Sequence, residues 1–252
     1  MSATPDEVIW HDAECGAYDG DLVAWEELCS HHDGPALELG AGTGRLALHL
    51  ARRGHDVVAV EREAKLAAEL ERRAAAEGLP IEVVTADARE LALGRRFGLV
   101  IVSMQFIQLF LEADERVAVL EVCARHLAPN GAVAAAIVEG VPDILLPADA
   151  SAALPDMREA GGFVYVSQPT GSTAGDGVIS SKRRRQRVSP EGEIETIDHV
   201  DRLAVLEEGV FEAEAERAGL RRAGAVTVPP TDLHVGSEIV LLEAARPRSA
   251  AG

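Results

Sequence analysis

The chain has 252 residues, 47% hydrophobic and 26% charged, and its 42 acidic against 24 basic residues give a formal net charge of −18. Such a composition belongs to a folded chain long enough to bury a sizeable core, and its acidity argues against nucleic acid or an anionic membrane surface as a partner. No secretory signal is visible in MSATPDEVIW, and apolar runs such as AVAAAIV are too short to span a bilayer, so the expectation is a cytoplasmic protein. Cys15, Cys29 and Cys123 are odd in number with no repeated spacing, which argues against a disulfide framework. His11, Cys15, Cys29, His31 and His32 fall close together, but their spacing matches no zinc pattern, and no metal is expected.

From about residue 35, short apolar runs alternate with helical patterns, which predicts a parallel sheet with helices on its faces. ALEL is the first strand, and RLALHLARR is a helix stopped by Gly54. HDVVAVE is a buried strand ending at Glu61, and AKLAAELERRAAAEG is a helix stopped by Gly78. IEVVTAD, ending at Asp87, and FGLVIVS, ending near Ser103, are the third and fourth strands. A helix over about 112–126, a turn at Pro129-Asn130-Gly131 and the strand GAVAAAIVE follow. Beyond Gly140 the chain is richer in Gly, Pro, Ser and Asp. FVYVS, SSKRRRQRVS and EIETIDHVDRLAV read as antiparallel strands, the last two joined by a turn at 189–192. EEGVFEAEAERAG returns to helical spacing, RRAGAVTV and SEIVLLEA form a hairpin, and a polar tail closes the chain.

The stretch ELGAGTGR places Gly40, Gly42 and Gly44 between a strand and a helix. Backbone N–H groups and the positive helix end then meet at the carboxyl edge of the sheet, where ligands of such sheets bind. A dinucleotide fingerprint needs G-x-G-x-x-G, and Arg45 stands where the third glycine belongs.

Residues 36–63, ALELGAGTGRLALHLARRGHDVVAVERE, resemble the first motif of class I S-adenosylmethionine-dependent methyltransferases, here of the small-molecule type. The resemblance implies an α/β, Rossmann-like seven-stranded methyltransferase sheet with an inserted antiparallel β lid. It implies that Glu38, Gly40, Ala41, Gly42 and Gly44 bind the methionine portion of S-adenosyl-L-methionine, and that Glu61, with Arg62 beside it, accepts the ribose hydroxyls. Two oxygens suit two vicinal hydroxyls. VVTADAREL resembles the segment whose Asp accepts from the adenine amino group, which nominates Asp87 and its neighbour Ala88. FGLVIVSMQFIQLF resembles the fourth-strand motif, with Ser103 and Met104 toward the cofactor and Gln105 and Gln108 toward the acceptor. The loop lacks the acid or Asn that the family often has there.

Tyr18, in AYDGDLVAWEEL, matches the amino-terminal segment that closes over the cofactor in that family. KRRRQR (182–187), folded back over EIETID, is expected to form opposite-charge cross-strand pairs, with an anion site for an acidic substrate as the alternative. His199 and His234 are the candidates for acid/base work. The expected organisation is a helical segment over 1–34, a cofactor core over 35–140, a lid over 141–203, the closing helix and strands over 204–245, and a tail from 246. The function expected is in-line methyl transfer to an N or O atom of a small molecule, by a monomer or homodimer. A non-catalytic cofactor-binding module and an NAD-dependent oxidoreductase are the alternatives.

Overall fold

The computed structural model describes residues 4–141, 154–207, 209–231 and 234–245. The expected tail from 246, and part of the expected lid, lie outside them. Two helices open the chain, α1 (Asp6–Cys15) and α2 (Leu22–His31). Asp6 and Glu7 occupy the first turn of α1, where carboxylates offset the positive helix end. A repeating unit follows: β1 (Ala36–Leu39), α3 (Arg45–Arg52), β2 (Val57–Glu61), α4 (Ala64–Glu77), β3 (Glu82–Thr85), β4 (Phe97–Val102), a 3-10 turn (Phe106–Leu109), α5 (Ala113–His126) and β5 (Leu127–Ile137). Four antiparallel strands come next, β6 (Asp156–Ala160), β7 (Phe163–Gly175), β8 (Val178–Val188) and β9 (Ile194–Ala204). The chain then returns through α6 (Val210–Arg217), β10 (Leu220–Val228) and β11 (Ser237–Ala244).

The main sheet has seven strands in the order β10-β11-β5-β4-β1-β2-β3. β11 is antiparallel to both of its neighbours, whereas the pairs from β5 to β3 are parallel. Strands β1, β2 and β4 are buried at every position, as strands covered on both faces by helices must be. One core layer joins Leu37, Val60, Val100 and Val133 to α5 and α6. The other joins Ala59, Leu99 and Ile101 to Trp25 and Leu46. The order reverses between β1 and β4, which makes the carboxyl edge there the crevice of the fold. Among the described residues, no helix is long and apolar enough to cross a membrane.

Three local expectations are corrected. Pro129-Asn130-Gly131 is not a turn before the fifth strand but an irregularity inside β5, where pairing with β4 shifts between Phe97 and Leu99 and Asn130 takes φ 64°. The lid sheet gains β6, since DMREA has too few apolar residues to read as a strand. The third strand stops at Thr85, leaving Asp87 in the loop beyond it.

The arginine run divides between two faces. Arg184 meets Asp198 across the strands at 3.0 Å and Arg187 meets Glu195 at 2.6 Å, as the sequence suggests. Arg183 and Arg185 do otherwise: they turn with Arg187 toward α1, where Arg185 grips Glu14 at 2.8 and 2.6 Å and Arg187 also reaches Asp6 at 2.7 Å. The Arg185 pair is largely buried and the Arg184 pair is open to water. Arg185→Gln is therefore expected to cost about 2 kcal/mol and Arg184→Gln under about 0.5 kcal/mol in denaturant melts. Equal losses would contradict this division.

Candidate functional site

The glycine loop leaves β1 with its N–H groups committed to β2. Gly40 and Ala41 donate to Val60 O at 2.9 and 3.0 Å. Gly42 donates to Glu61 Oε2 at 2.9 Å, and Glu63 N donates to the other oxygen at 2.8 Å. Glu61 is thus fixed at the end of β2 by two backbone donors, with a further lone pair on each oxygen free to accept. At Gly40 (φ 72°) and Gly42 (φ 55°) the backbone is left-handed, and a Cβ there would lie 2.2 Å from the Phe106 ring and 2.4 Å from the His11 ring. Those two rings pack against the loop at Gly40 and Gly42.

Glu38 is the most exceptional group in the region. Its Oε1 accepts from Ser103 Oγ at 3.3 Å, while its Oε2 is buried with no partner. Burial pushes its pKa up to about 8, against the opposing pull of the Arg45 charge. Arg45 does not neutralise it, because its guanidinium forks onto Asp21 at 2.6 and 2.9 Å and donates to Tyr18 O.

Asp87 lies in the loop after β3, and its carboxylate accepts from Arg89 N, Nε and Nη2 at 2.9, 3.0 and 2.7 Å. Hydrogen bonding from Arg89 holds its pKa down, to about 2. The exposed Arg62 is near enough for its charge to act in the same direction. Ala88 is buried in the core beside Leu91. At the end of β4, Met104 and Gln105 both take positive φ (48° and 55°), a strained pair for residues with side chains, and this bend swings Phe106 over Gly40.

The other expected residues do not join this cluster. Gln108 is not a substrate group: it is 1% exposed and stitches the lid to the core, donating to Val138 O and Ala204 O and accepting from Val138 N. Both amide hydrogens are consumed. His199 lies on β9, paired with Asp201 at 3.0 Å. His234 closes a turn with Thr231 and stacks on Tyr18 with ring centroids 4.6 Å apart. Among the described residues, no contact links either histidine to Glu38, Glu61 or Ser103. A cavity of about 290 Å³ opens beside the loop, lined by Tyr18, Thr43, Arg45, Arg73 and Arg158 among others. None of Glu38, Glu61 or Asp87 lines it.

His11 and Phe106 both pack on the glycine loop, contacts that sequence reasoning missed. Thr43 Oγ1 lies 3.3 Å from His11 Nδ1 and donates to Asp12 at 2.7 Å, so α1 sits on the glycine loop. Burial lowers the His11 pKa, which favours the neutral ring.

Known proteins resemble this chain in sequence or in fold. Residues 36–131 match the family model described as a methyltransferase domain. A cypemycin N-terminal methyltransferase from Streptomyces sp is 33% identical over 137 residues, covering 50% of this chain and 55% of that protein, so the match spans about half of each. The sugar N-methyltransferase KedS8 from Streptoalloteichus sp superposes with a TM-score of 0.73 at 18% identity, over 95% of this chain and 94% of that one. DesVI of Streptomyces venezuelae does so with 0.73 at 16%, over 95% and 99%. A S-adenosylmethionine-dependent methyltransferase from Clostridium acetobutylicum does so with 0.72 at 15%, over 96% and 98%. Residues 36–131 of this chain are thus similar to a methyltransferase domain, and the chain as a whole has the fold of the S-adenosylmethionine-dependent methyltransferase it superposes on.

Proposed function

We propose that this protein transfers a methyl group from S-adenosylmethionine to a nitrogen atom of a small-molecule acceptor held beneath the lid at 141–203. The observation that carries the reading is the buried, unpartnered Oε2 of Glu38 at the start of the glycine loop. Such an atom calls for a cation or a strong donor, and the methionine portion of the cofactor offers an ammonium. An NAD pyrophosphate is an anion with no proton to donate to that atom.

The residues present fit the cofactor. Glu38 and the loop from Gly40 to Gly44 would hold its methionine portion, Glu61 its ribose, and Asp87 its adenine, with the remaining acceptor site of the Arg89-clamped carboxylate. When bound, the cofactor supplies an electrophilic methyl group on a positively charged sulfur. The chain's part is then orientation, which alone supplies several kcal/mol. A neutral amine already presents its lone pair, so no base is needed during transfer, in keeping with His199 and His234 lying outside the cluster. A hydroxyl acceptor would need one. The nitrogen assignment is also supported by a relative named as an N-terminal methyltransferase and a structural neighbour named as a sugar N-methyltransferase.

The test uses methyl-labelled S-adenosylmethionine and matched acceptors, each an amine paired with its hydroxyl counterpart. Label is expected in the amines and only background in the hydroxyls. Labelled hydroxyls would move the acceptor atom to oxygen, and tight NAD binding with no calorimetric response to S-adenosylmethionine would sink methyl transfer altogether.

A further inference from the structure

We infer that Asp201, held by His199 on the inner face of the lid sheet, binds the ammonium group of the acceptor. The inference rests on the methyl-transfer reading above and adds the charge state in which the acceptor arrives. Alternation along the lid strands places the two residues. Arg183, Arg185 and Arg187 of β8 turn toward α1, and their direct partners across the ladder are His199, Ile197 and Glu195, so odd-numbered residues of β9 share the inner face. Asp201 stands opposite Ser181, and Ser181 opposite Ser172, with the two serine hydroxyls 3.3 Å apart. Ser172, Ser181 and Asp201 therefore make one polar row across three strands.

What covers this face changes along it. On one side of the row lies α1, whose Asp6 accepts from Tyr165 and Arg187 and whose Glu14 accepts from Ser167 and Arg185. That helix ends at Cys15. On the other side, Ile179 opposite Leu203 is buried, and Gln108 ties Ala204 O to the core. The polar row thus falls between the end of α1 and the joint of lid and core, and the Asp201 side chain is 48% exposed there.

Charge suits this row to a cation. Asp6 and Glu195 meet Arg187, Glu14 meets Arg185 and Asp156 meets Arg183, whereas Asp201 meets His199 at 3.0 Å and, among the described residues, no arginine. The carboxyl end of α1 carries partial negative charge, and its last turn has no basic residue. Burial, then the charges of Glu14 and Asp201, push the Cys15 thiol up to about 11, so the Asp201 carboxylate lies near that helix end. Arg45 and Arg183 act on the same thiol in the opposite direction, but their guanidinium groups are engaged by Asp21 and Asp156. An ammonium brings the missing positive charge and three donors, one for the carboxylate and others for the serine hydroxyls. A hydroxyl brings one donor and no charge. The bound amine must shed one proton to water before its lone pair can accept a methyl group, and it is a cation again once methylated. Asp201 opposes the first change and favours the second, so its loss should fall mainly on the Michaelis constant.

Two amines tested against their hydroxyl counterparts, benzylamine against benzyl alcohol and glucosamine against glucose, decide the matter at neutral pH. Backbone amide NMR shifts are read first, without turnover. Residues 14–18 and 199–203 are expected to shift with the amines and not with the hydroxyl compounds. Asp201→Asn is expected to weaken that response about tenfold, with a thermal melt within about 1 °C of wild type. Asp201→Glu keeps the charge and is expected to bind within about threefold of wild type. In methyl-label assays Asp201→Asn should raise KM for the amine about tenfold and change kcat by less than about threefold, with affinity for S-adenosylmethionine unchanged. No shift in these residues up to about 50 mM of either amine, or equal responses from wild type and Asp201→Asn, overturns the inference. Shifts without transfer of label would uphold the ammonium site and sink methyl transfer. Label transferred with an unchanged KM in Asp201→Asn would uphold methyl transfer and sink the role of Asp201.

Discussion

Glu38→Gln is expected to do two opposite things: stabilise the cofactor-free protein at alkaline pH and weaken cofactor binding about 30- to 100-fold. The first effect follows from the raised pKa. An unfolded Glu38 ionises near 4.5, whereas the folded one holds its proton up to about 8. Between those values the native state carries the extra proton, so stability falls as pH rises, by up to about 1.4 kcal/mol per unit from this group. Below the window both states are protonated and above it both are ionised, and the contribution is flat. Glutamine has no proton to lose, so the difference between variant and wild type should grow from pH 5 to pH 8 and then level off. The second effect follows from the unpartnered Oε2: removing a buried charge that faces a cation costs roughly 2–3 kcal/mol of binding. Denaturant melts across pH, with calorimetry in two buffers of different ionisation heat, read both. The wild type should release close to one proton near pH 7 on binding S-adenosylmethionine, and Glu38→Gln none. Parallel stability curves for the two proteins would show that Glu38 is already ionised in the free state.

The part of this site that was legible in the sequence is the part that is local. Glu38, the three glycines and Glu61 lie within a single strand-loop-helix-strand unit, so their order along the chain is also their order in space. The centre of the sheet was legible for the same reason, since β1 and β2 are short apolar runs each followed by a helix. The contacts that were missed act across long separations. His11 reaches Gly42 from a helix formed before the sheet begins, and Gln108 reaches the end of β9 across 96 residues. The positive φ values of Met104 and Gln105, which put Phe106 over Gly40, carry no composition signal because neither residue favours that region. The arginine run showed its charge but not its division, because alternation along β8 gives every second residue to α1, whose position the sequence does not announce.

That helix makes the second large effect. α1 touches both halves of the molecule: Asp6 and Glu14 hold the lid sheet through Tyr165, Arg185 and Arg187, and Trp10 packs edge-on against Tyr165 at 5.0 Å. Asp12 holds the core, accepting from Thr43 Oγ1 at 2.7 Å and from Arg73, with Arg158 of β6 at 3.2 Å. Burial alone would raise the Asp12 pKa, but hydrogen bonds from Arg73 and Thr43 and the two arginine charges overcome it and hold it below the usual value. Its contribution is therefore present above the unfolded pKa and lost as pH falls through the folded one. Asp12→Asn keeps the size, loses the charge and turns amide hydrogens toward Arg73, for an expected cost of about 3 kcal/mol, or roughly 6–10 °C in melting temperature. Its reach separates it from a simple loss of stability. Hydrogen exchange should accelerate both in α1 and in the glycine loop at 40–44, and the Michaelis constant for S-adenosylmethionine should rise. Arg185→Gln, cutting the same helix from the lid, should loosen α1 and β8 while leaving the loop protected. A melting temperature within about 1 °C of wild type, or loop exchange unchanged by Asp12→Asn, would mean that α1 merely covers the site without holding the loop in shape.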